Sequence, residues 1–188
     1  SRFYLYDSSL YKNPSIANTY EPGSTFKVLV AAAALNEGVI KEDDKCDICG
    51  GPVQIDKYNI KTWNGEYRDG ATPTDIITHS DNTGMVWMQR RLGGEKLVDY
   101  IKNFGFGEKT GIDLQEEVSS PLRKKWGEVD YATSSFGQGI AVTSIQMVRA
   151  VGAIANGGKL MEPHVVDTVL GEENLPILPK VVRTVMSE

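Results

Sequence analysis

Residues 20–35 read YEPGSTFKVLVAAAAL, and the rest of the chain is organised around this stretch. Pro22 and Gly23 end the preceding loop, Ser24 takes an N-cap or first-turn position, and the run from Val28 to Leu35 has no polar face. A helix without a polar face belongs in a core, so the pattern predicts a buried helix that stops at Asn36 and Gly38. Ser24 and Lys27 stand three residues apart, which places both side chains on one face with the ammonium in reach of the hydroxyl. That is a nucleophile beside a possible base.

The pair is weak by itself, because a chain of this composition holds roughly one Ser-x-x-Lys by chance. A second pair, Ser9 and Lys12, runs straight into Asn13 and Pro14, which disfavour a continuing helix and any fixed one-face geometry. The bland reading of Ser24 and Lys27 is an ordinary N-cap followed by a lysine whose stem snorkels to the surface.

The 188 residues are 40% hydrophobic, one domain's worth of chain with enough apolar residues for a core. A net charge of −5 and the lack of a basic stripe interleaved with aromatics argue against a nucleic-acid partner. The longest apolar run, Val28 to Leu35, is far short of the ~20 residues of a membrane span, and no signal peptide opens the chain. The chain starts without Met and ends in a helix-like segment, Pro179 to Glu188, so a soluble piece of a longer parent is expected. Cys46 and Cys49, in CDICGG, resemble one knuckle of a zinc ribbon whose other half is missing, and His79 and His164 lie elsewhere. A local disulfide or two free thiols is expected there, ahead of a metal shared with another chain.

Along the chain, residues 1–20 alternate weakly (Phe3, Leu5), as a short edge strand would. Residues 53–63, VQIDKYNIKTW, read as a hairpin broken near Asp56 and Lys57. Thr72 and Pro73 open a short helix toward His79, with Asp75 in its first turn. Ser80, Asp81 and Asn82 then interrupt the helical pattern before MVWMQRRL resumes it up to Gly93 and Gly94, an elbow that can present side chains into a cleft. In the plainer reading Ser80 and Asn82 merely cap the next helix. Glu95 to Phe104 forms an amphipathic helix, and FGFGEKTGIDLQEE reads as loop. YATSSFGQGI crowds small residues and glycines, which permits close backbone approach. Thr143 and Gln146 make a capping-box pattern for a helix to Asn156, and residues 164–170, HVVDTVL, read as a strand.

A Ser-x-x-Lys opening a buried helix, followed by a Ser-x-Asn elbow, resembles the first two motifs of the penicillin-recognising serine enzymes. YEPGSTFK, SDNTGMVWM, FGFGEKTGIDL and SSFGQGIAVTSIQMVRAVGAIANGG, in this order, resemble the transpeptidase domain of class B penicillin-binding proteins across most of residues 11–165. The resemblance implies an α/β fold, with an antiparallel sheet flanked by helices and a helical lobe carrying the elbow. Residues 1–188 would be one partial transpeptidase domain with an incomplete sheet. The family's third motif is Lys-Thr-Gly or Lys-Ser-Gly on a cleft strand. Lys109 to Gly111 spells KTG, but its FGFG…IDLQEE setting resembles a loop beyond the cleft, so the true motif is expected past residue 188.

By resemblance, Ser24 is the nucleophile, Lys27 the base, Ser80 the carrier of the proton to the leaving amine, and Asn82 the group that orients Lys27 and the substrate amide. The implied reaction passes a D-alanyl-D-alanine stem peptide through an acyl-enzyme to an acceptor amine, with β-lactams trapping Ser24. No cofactor or metal is implied. The implied partners of the parent are a membrane glycosyltransferase and other cell-wall synthesis proteins, at the extracytoplasmic face of the bacterial cytoplasmic membrane. Lacking the third motif, this chain is expected to react feebly. Two other readings stand beside this one: a serine β-lactamase, with Glu116 or Glu117 activating water, and a β-lactam sensor or scaffold that does not turn over.

Overall fold

The computed structural model describes residues 11–187 together with Leu5 and Asp7; the edge strand expected around Phe3, and Ser9 of the second Ser-x-x-Lys pair, lie outside them. The first element, α1 (Pro14–Ala17), is a single turn with Pro at its start and Asn13 as cap, the side chain accepting from the Ser15 N–H. The chain then extends through β1 (Thr19–Tyr20) into a 3₁₀ turn, Gly23–Phe26, continuous with α2 (Lys27–Asn36).

The turn corrects two expectations. Ser24 caps nothing: it lies inside the 3₁₀ turn, and no side-chain cap opens either segment, so its hydroxyl is spared for other contacts. Nor is α2 enclosed on every side. Leu29, Val30, Ala31, Ala33 and Ala34 are buried, but Val28 and Leu35, on one stripe with the half-buried Ala32, are exposed. The alanines let neighbouring helices come close, and α2 packs against the elements that follow it.

These are β2 (Val53–Ile55) and β3 (Tyr58–Ile60), α3 (Pro73–Thr78), α4 (Asn82–Leu92), α5 (Gly94–Asn103) and α6 (Glu128–Ser134). After them come β4 (Val142–Thr143), α7 (Ser144–Ala155), β5 (Lys159–Met161), β6 (Thr168–Val169), β7 (Leu175–Pro176) and β8 (Val181–Thr184). The hairpin is as read from the sequence: β2 and β3 pair antiparallel around Asp56, whose φ of 54° is left-handed. The expected capping box of Thr143 with Gln146 is present, and the Thr72 cap expected at the start of α3 also forms a box, with Asp75. The helix α6 falls where only a crowd of small residues was legible.

Among the described residues the strands form four two-stranded antiparallel ladders, β1–β4, β2–β3, β5–β8 and β6–β7. With the helices they make a mixed α/β fold. One core runs through Phe26, Leu29, Ile76, Met85, Met88, Leu97, Ile101, Phe104 and Leu160, all almost wholly buried. Gly84 lets α4 lie against α3, where a Cβ would sit 2.3 Å from Ile76 Cγ1.

Two C-terminal expectations fail. The helix-like segment from Pro179 is strand β8, which pairs with β5 (Lys159 opposite Thr184, Leu160 opposite Arg183). Val181 and Val182 are β-branched and the segment offers no helix cap, so edge pairing wins. Of residues 164–170 only Thr168 and Val169 pair as strand. The Asp113 carboxylate takes the Val165 and Val166 N–H groups at 2.8 Å each, and donors engaged by a side chain cannot join a ladder. Those two bonds also hold the Asp113 carboxyl below the usual aspartate range.

Candidate active site

The elbow after α3 is a helix stop fused to a helix start. The Ser80 N–H donates to Ile77 O at 3.1 Å and the Asp81 N–H to Ile76 O at 2.9 Å, the paired bonds of a Schellman ending. Ser80 occupies the left-handed position of that motif, with φ 53°, where glycine is favoured. The next residue starts α4: Asp81 Oδ1 accepts from the N–H groups of Thr83 and Gly84 and from the Thr83 hydroxyl. The cap is therefore Asp81, and neither Ser80 nor Asn82 is used for capping. With the backbone committed on both sides, the side chains of Ser80 and Asn82 face Ser24 and Lys27.

Lys27 is 2% exposed, and its Nζ donates to three oxygens of the elbow: Ser80 O at 2.6 Å, Asn82 Oδ1 at 2.8 Å and Ser80 Oγ at 3.0 Å. Ser80 Oγ donates in turn to Ser24 Oγ at 2.9 Å. The direct lysine-to-nucleophile bond expected from helical spacing is absent among the described residues; the Ser80 hydroxyl stands between the two. Asn82 is held the right way round because its Nδ2 donates to Lys61 O at 3.0 Å, just past β3, which leaves Oδ1 for Lys27. The structure thus brings Ser24, Lys27, Ser80 and Asn82 into one connected network.

Burial lowers the Lys27 pKa to about 8, partly opposed by the negative charge of Asp81. Asp81 is itself buried, and its Oδ2 has no hydrogen-bond partner among the described residues. The three partners of Lys27 are not equivalent. Ser80 O and Asn82 Oδ1 can only accept, whereas the Ser80 hydroxyl can do either. An ammonium donates to all three. A neutral amine has two N–H donors for the two carbonyls and a lone pair for the Ser80 O–H. Loss of one proton can therefore reverse the chain, so that Ser24 donates to Ser80 and Ser80 to Lys27, which raises the nucleophilicity of Ser24.

Ser24 opens onto a cleft of about 590 Å³, walled by Trp63, Arg68, His79 and Gln138 among others. The far wall is the glycine-rich segment after α6. Gly23 N–H donates to Gly137 O at 3.0 Å, and a Cβ on Gly137 would sit 2.1 Å from Gly23 O, so only glycine permits this approach beside the nucleophile. Glu21 adds a bond from the Gly139 N–H at 2.9 Å. The near wall is the loop from β3 to α3. Its base is joined to the Cys46 turn by main-chain bonds, Arg68 N to Cys49 O and Cys46 N to Ala71 O, and Cys46 and Cys49 form a buried disulfide. Trp63 on this wall donates its indole N–H to His79 O at 3.3 Å.

Other sequence candidates lie elsewhere. Lys109 to Gly111 is loop, with the Thr110 and Gly111 N–H groups and the Thr110 hydroxyl all bound to the Glu117 carboxylate. Glu117 is buried and fully engaged there, and neither it nor Glu116 lines the cleft. The geometry thus offers no support for the water-activating glutamate of the β-lactamase reading. The sequence reading missed Asp81 as the cap, the bridging position of Ser80, and the cleft-wall residues Trp63, Arg68 and Gln138. Only the glycine crowding around Gly137 had given a local sign of that wall.

Comparison with known proteins bears on the family. The chain matches the penicillin binding protein transpeptidase domain model over residues 4–187. It is 44% identical over 165 residues to stage V sporulation protein D of Bacillus subtilis, covering 85% of this chain and 25% of that protein. It is 32% identical over 180 residues to the peptidoglycan D,D-transpeptidase FtsI of Escherichia coli K12, covering 93% and 30%. Among solved structures, penicillin binding protein 3 from Mycobacterium tuberculosis, complexed with aztreonam, superposes with a TM-score of 0.85 at 26% identity, over 93% of this chain and 40% of that one. The chain spans about a quarter to a third of the length of these two curated relatives. A match that runs through almost every residue, including the Ser24 helix, the Ser80 elbow and the glycine-rich wall, shows that the chain belongs to the penicillin-binding protein transpeptidase domain family.

Proposed function

We propose that the chain carries the nucleophile half of a peptidoglycan D,D-transpeptidase site and that residues 1–188 form one partial transpeptidase domain. The observation that carries this reading is the hydrogen-bonded line from Ser24 Oγ through Ser80 Oγ to Lys27 Nζ. In the acylating step, neutral Lys27 takes the Ser80 proton as Ser80 takes that of Ser24. Ser24 Oγ bonds to the carbonyl carbon of the penultimate D-alanine, and the C–N bond to the last D-alanine breaks. The proton returns through Ser80 to the departing amine. The Ser24 N–H, at the start of a helical turn where no earlier carbonyl is in register, is one donor for the oxyanion. Asn82 keeps Lys27 in place and has its amide close to the substrate.

Deacylation by an acceptor amine runs the same line in reverse, and a β-lactam enters by the acylation step alone. The Cys46–Cys49 disulfide supports an oxidising, extracytoplasmic setting. The name of the FtsI relative, a peptidoglycan D,D-transpeptidase, supports a parent acting in cell-wall synthesis; a membrane glycosyltransferase among its partners is part of the same proposal. None of the helices among the described residues is long and apolar enough to cross a membrane. Intact-mass spectrometry after incubation with benzylpenicillin tests the reading, on this chain, on a version extended past residue 188, and on Ser24→Ala of each. One adduct on the extended wild type, lost in Ser24→Ala, is expected. An unlabelled extended protein, or an adduct that survives Ser24→Ala, would overturn it.

A further inference from the structure

We propose that Arg68 is a carboxylate-recognition residue of the cleft, receiving a free carboxylate of the peptide substrate; the inference rests on the transpeptidase reading above. Arg68 lines the same cleft as Ser24, on the loop from β3 to α3. Among the described residues lining the cleft it is the permanently charged cation, since Lys27 lies beneath the floor. Its side chain is partly shielded, with 31% exposed, and one edge of the guanidinium is occupied: Nη2 donates to Glu66 Oε2 at 2.9 Å. A guanidinium is a planar fork with five N–H donors, and no side chain among the described residues takes the others. A fork with one edge held and the other open is oriented for a second planar anion.

The backbone beneath it is equally constrained. The Arg68 N–H is tied to Cys49 O at 3.1 Å, Gly70 N–H to Cys46 O at 3.2 Å, and Glu66 N–H to Asn64 Oδ1 at 3.1 Å. The disulfide-closed turn thus fixes the base of the loop, and Asn64 fixes the approach to Glu66. Glu66, with 64% of its side chain exposed, acts as a positioning residue that aims the guanidinium. An exposed ion pair contributes little to stability, so a stabilising role accounts poorly for a pair set into a reactive cleft.

The carboxylate has two possible sources of one chemistry: the C-terminal carboxylate of the donor peptide, or one on the carbon that bears the acceptor amine. In the second case the amine nitrogen bonds to the acyl carbon, the ester C–O bond to Ser24 breaks, and the amine proton passes through Ser80 to Ser24 Oγ.

The experiment uses the extended protein as wild type, Arg68→Gln and Arg68→Lys. One arm forms the acyl-enzyme from a thioester donor whose leaving group is uncharged, then compares transfer to D-alanine with transfer to D-alaninamide. The other compares acylation by thioesters whose leaving groups end in a carboxylate or in its amide. Each arm reads a ratio within one protein, so a general loss of activity cancels. A tenfold fall in one carboxylate-over-amide ratio in Arg68→Gln, partly restored in Arg68→Lys, is expected, and the arm in which it falls names the source. Both ratios unchanged in Arg68→Gln would overturn the proposal.

A binding measurement keeps the question open to test if no transfer occurs. The Arg68 Nε–H resonance should shift saturably with D-alanyl-D-alanine or D-alanine and not with the corresponding amide. No shift with either acid refutes the carboxylate site. Failure of Ser24 to acylate at all refutes the transpeptidase reading instead.

Discussion

The left-handed Ser80 makes a differential prediction that ordinary residue preferences would not make. At most helical or extended positions alanine is more stable than glycine by roughly 0.5–1 kcal/mol. Ser80 has φ 53° at a helix stop, where a Cβ is strained and glycine is not. Ser80→Ala and Ser80→Gly both delete the hydroxyl and its bonds to Ser24 and Lys27. Both keep the main-chain carbonyl that accepts from Lys27. Their difference therefore isolates the backbone, and Ser80→Gly should be more stable than Ser80→Ala by about 1 kcal/mol. In a domain of this size that corresponds to a melting temperature about 2–4 °C higher. Thermal and urea unfolding, followed by circular dichroism, would measure it. Both variants should lose most benzylpenicillin acylation, because neither can join Ser24 to Lys27. If the alanine variant equals or exceeds the glycine variant in stability, the elbow is not strained as argued. If either acylates at the wild-type rate, the bridging role of Ser80 fails.

Three further outcomes follow from the same geometry. With Lys27 near pKa 8, its neutral fraction rises from about one-tenth at pH 7 to about nine-tenths at pH 9, so acylation should rise roughly tenfold across that range. The Lys27 Cε resonance should titrate with the same midpoint, and lower in Asp81→Asn; a midpoint near 10.5 would refute the burial argument. Because the folded pKa lies below the unfolded value, the unfolded chain binds the extra proton between about pH 8 and 10.5, and wild type should gain stability over Lys27→Met as pH rises through that window. Gly137→Ala should lose about 1–3 kcal/mol of stability and slow acylation, since its Cβ meets the Gly23 carbonyl; unchanged unfolding would show that the wall can retreat. Thr143→Ala removes the side-chain half of the α7 capping box and should cost about 1 kcal/mol in urea unfolding without shifting the acylation pH profile.

The local devices were legible because each depends on residues close together in sequence. The Thr72 cap, the Thr143–Gln146 box, the Asp56 hairpin and the glycine stops are satisfied within a few residues, so spacing alone announces them. The same logic misled at the C-terminus. Residues 179–188 have no strong local signal, and pairing with β5 decided between helix and strand; at 164–166 the decision came from Asp113, far back in the chain.

By itself the sequence determined that Ser24 and Lys27 open an apolar helix and that Ser80 and Asn82 lie at an interruption between two helices, since hydrophobic period and capping chemistry are local. The wording around these residues was enough to identify the family. Only the tertiary structure decided that Ser80 bridges the two, that Asp81 is the cap that frees its neighbours, and that Arg68 shares the cleft. The physical reason is the same in each case. A hydrogen bond depends on distances of a few tenths of an ångström between groups that helix packing brings together, and spacing along the chain does not encode where α3, α4 and the β3–α3 loop come to rest against α2.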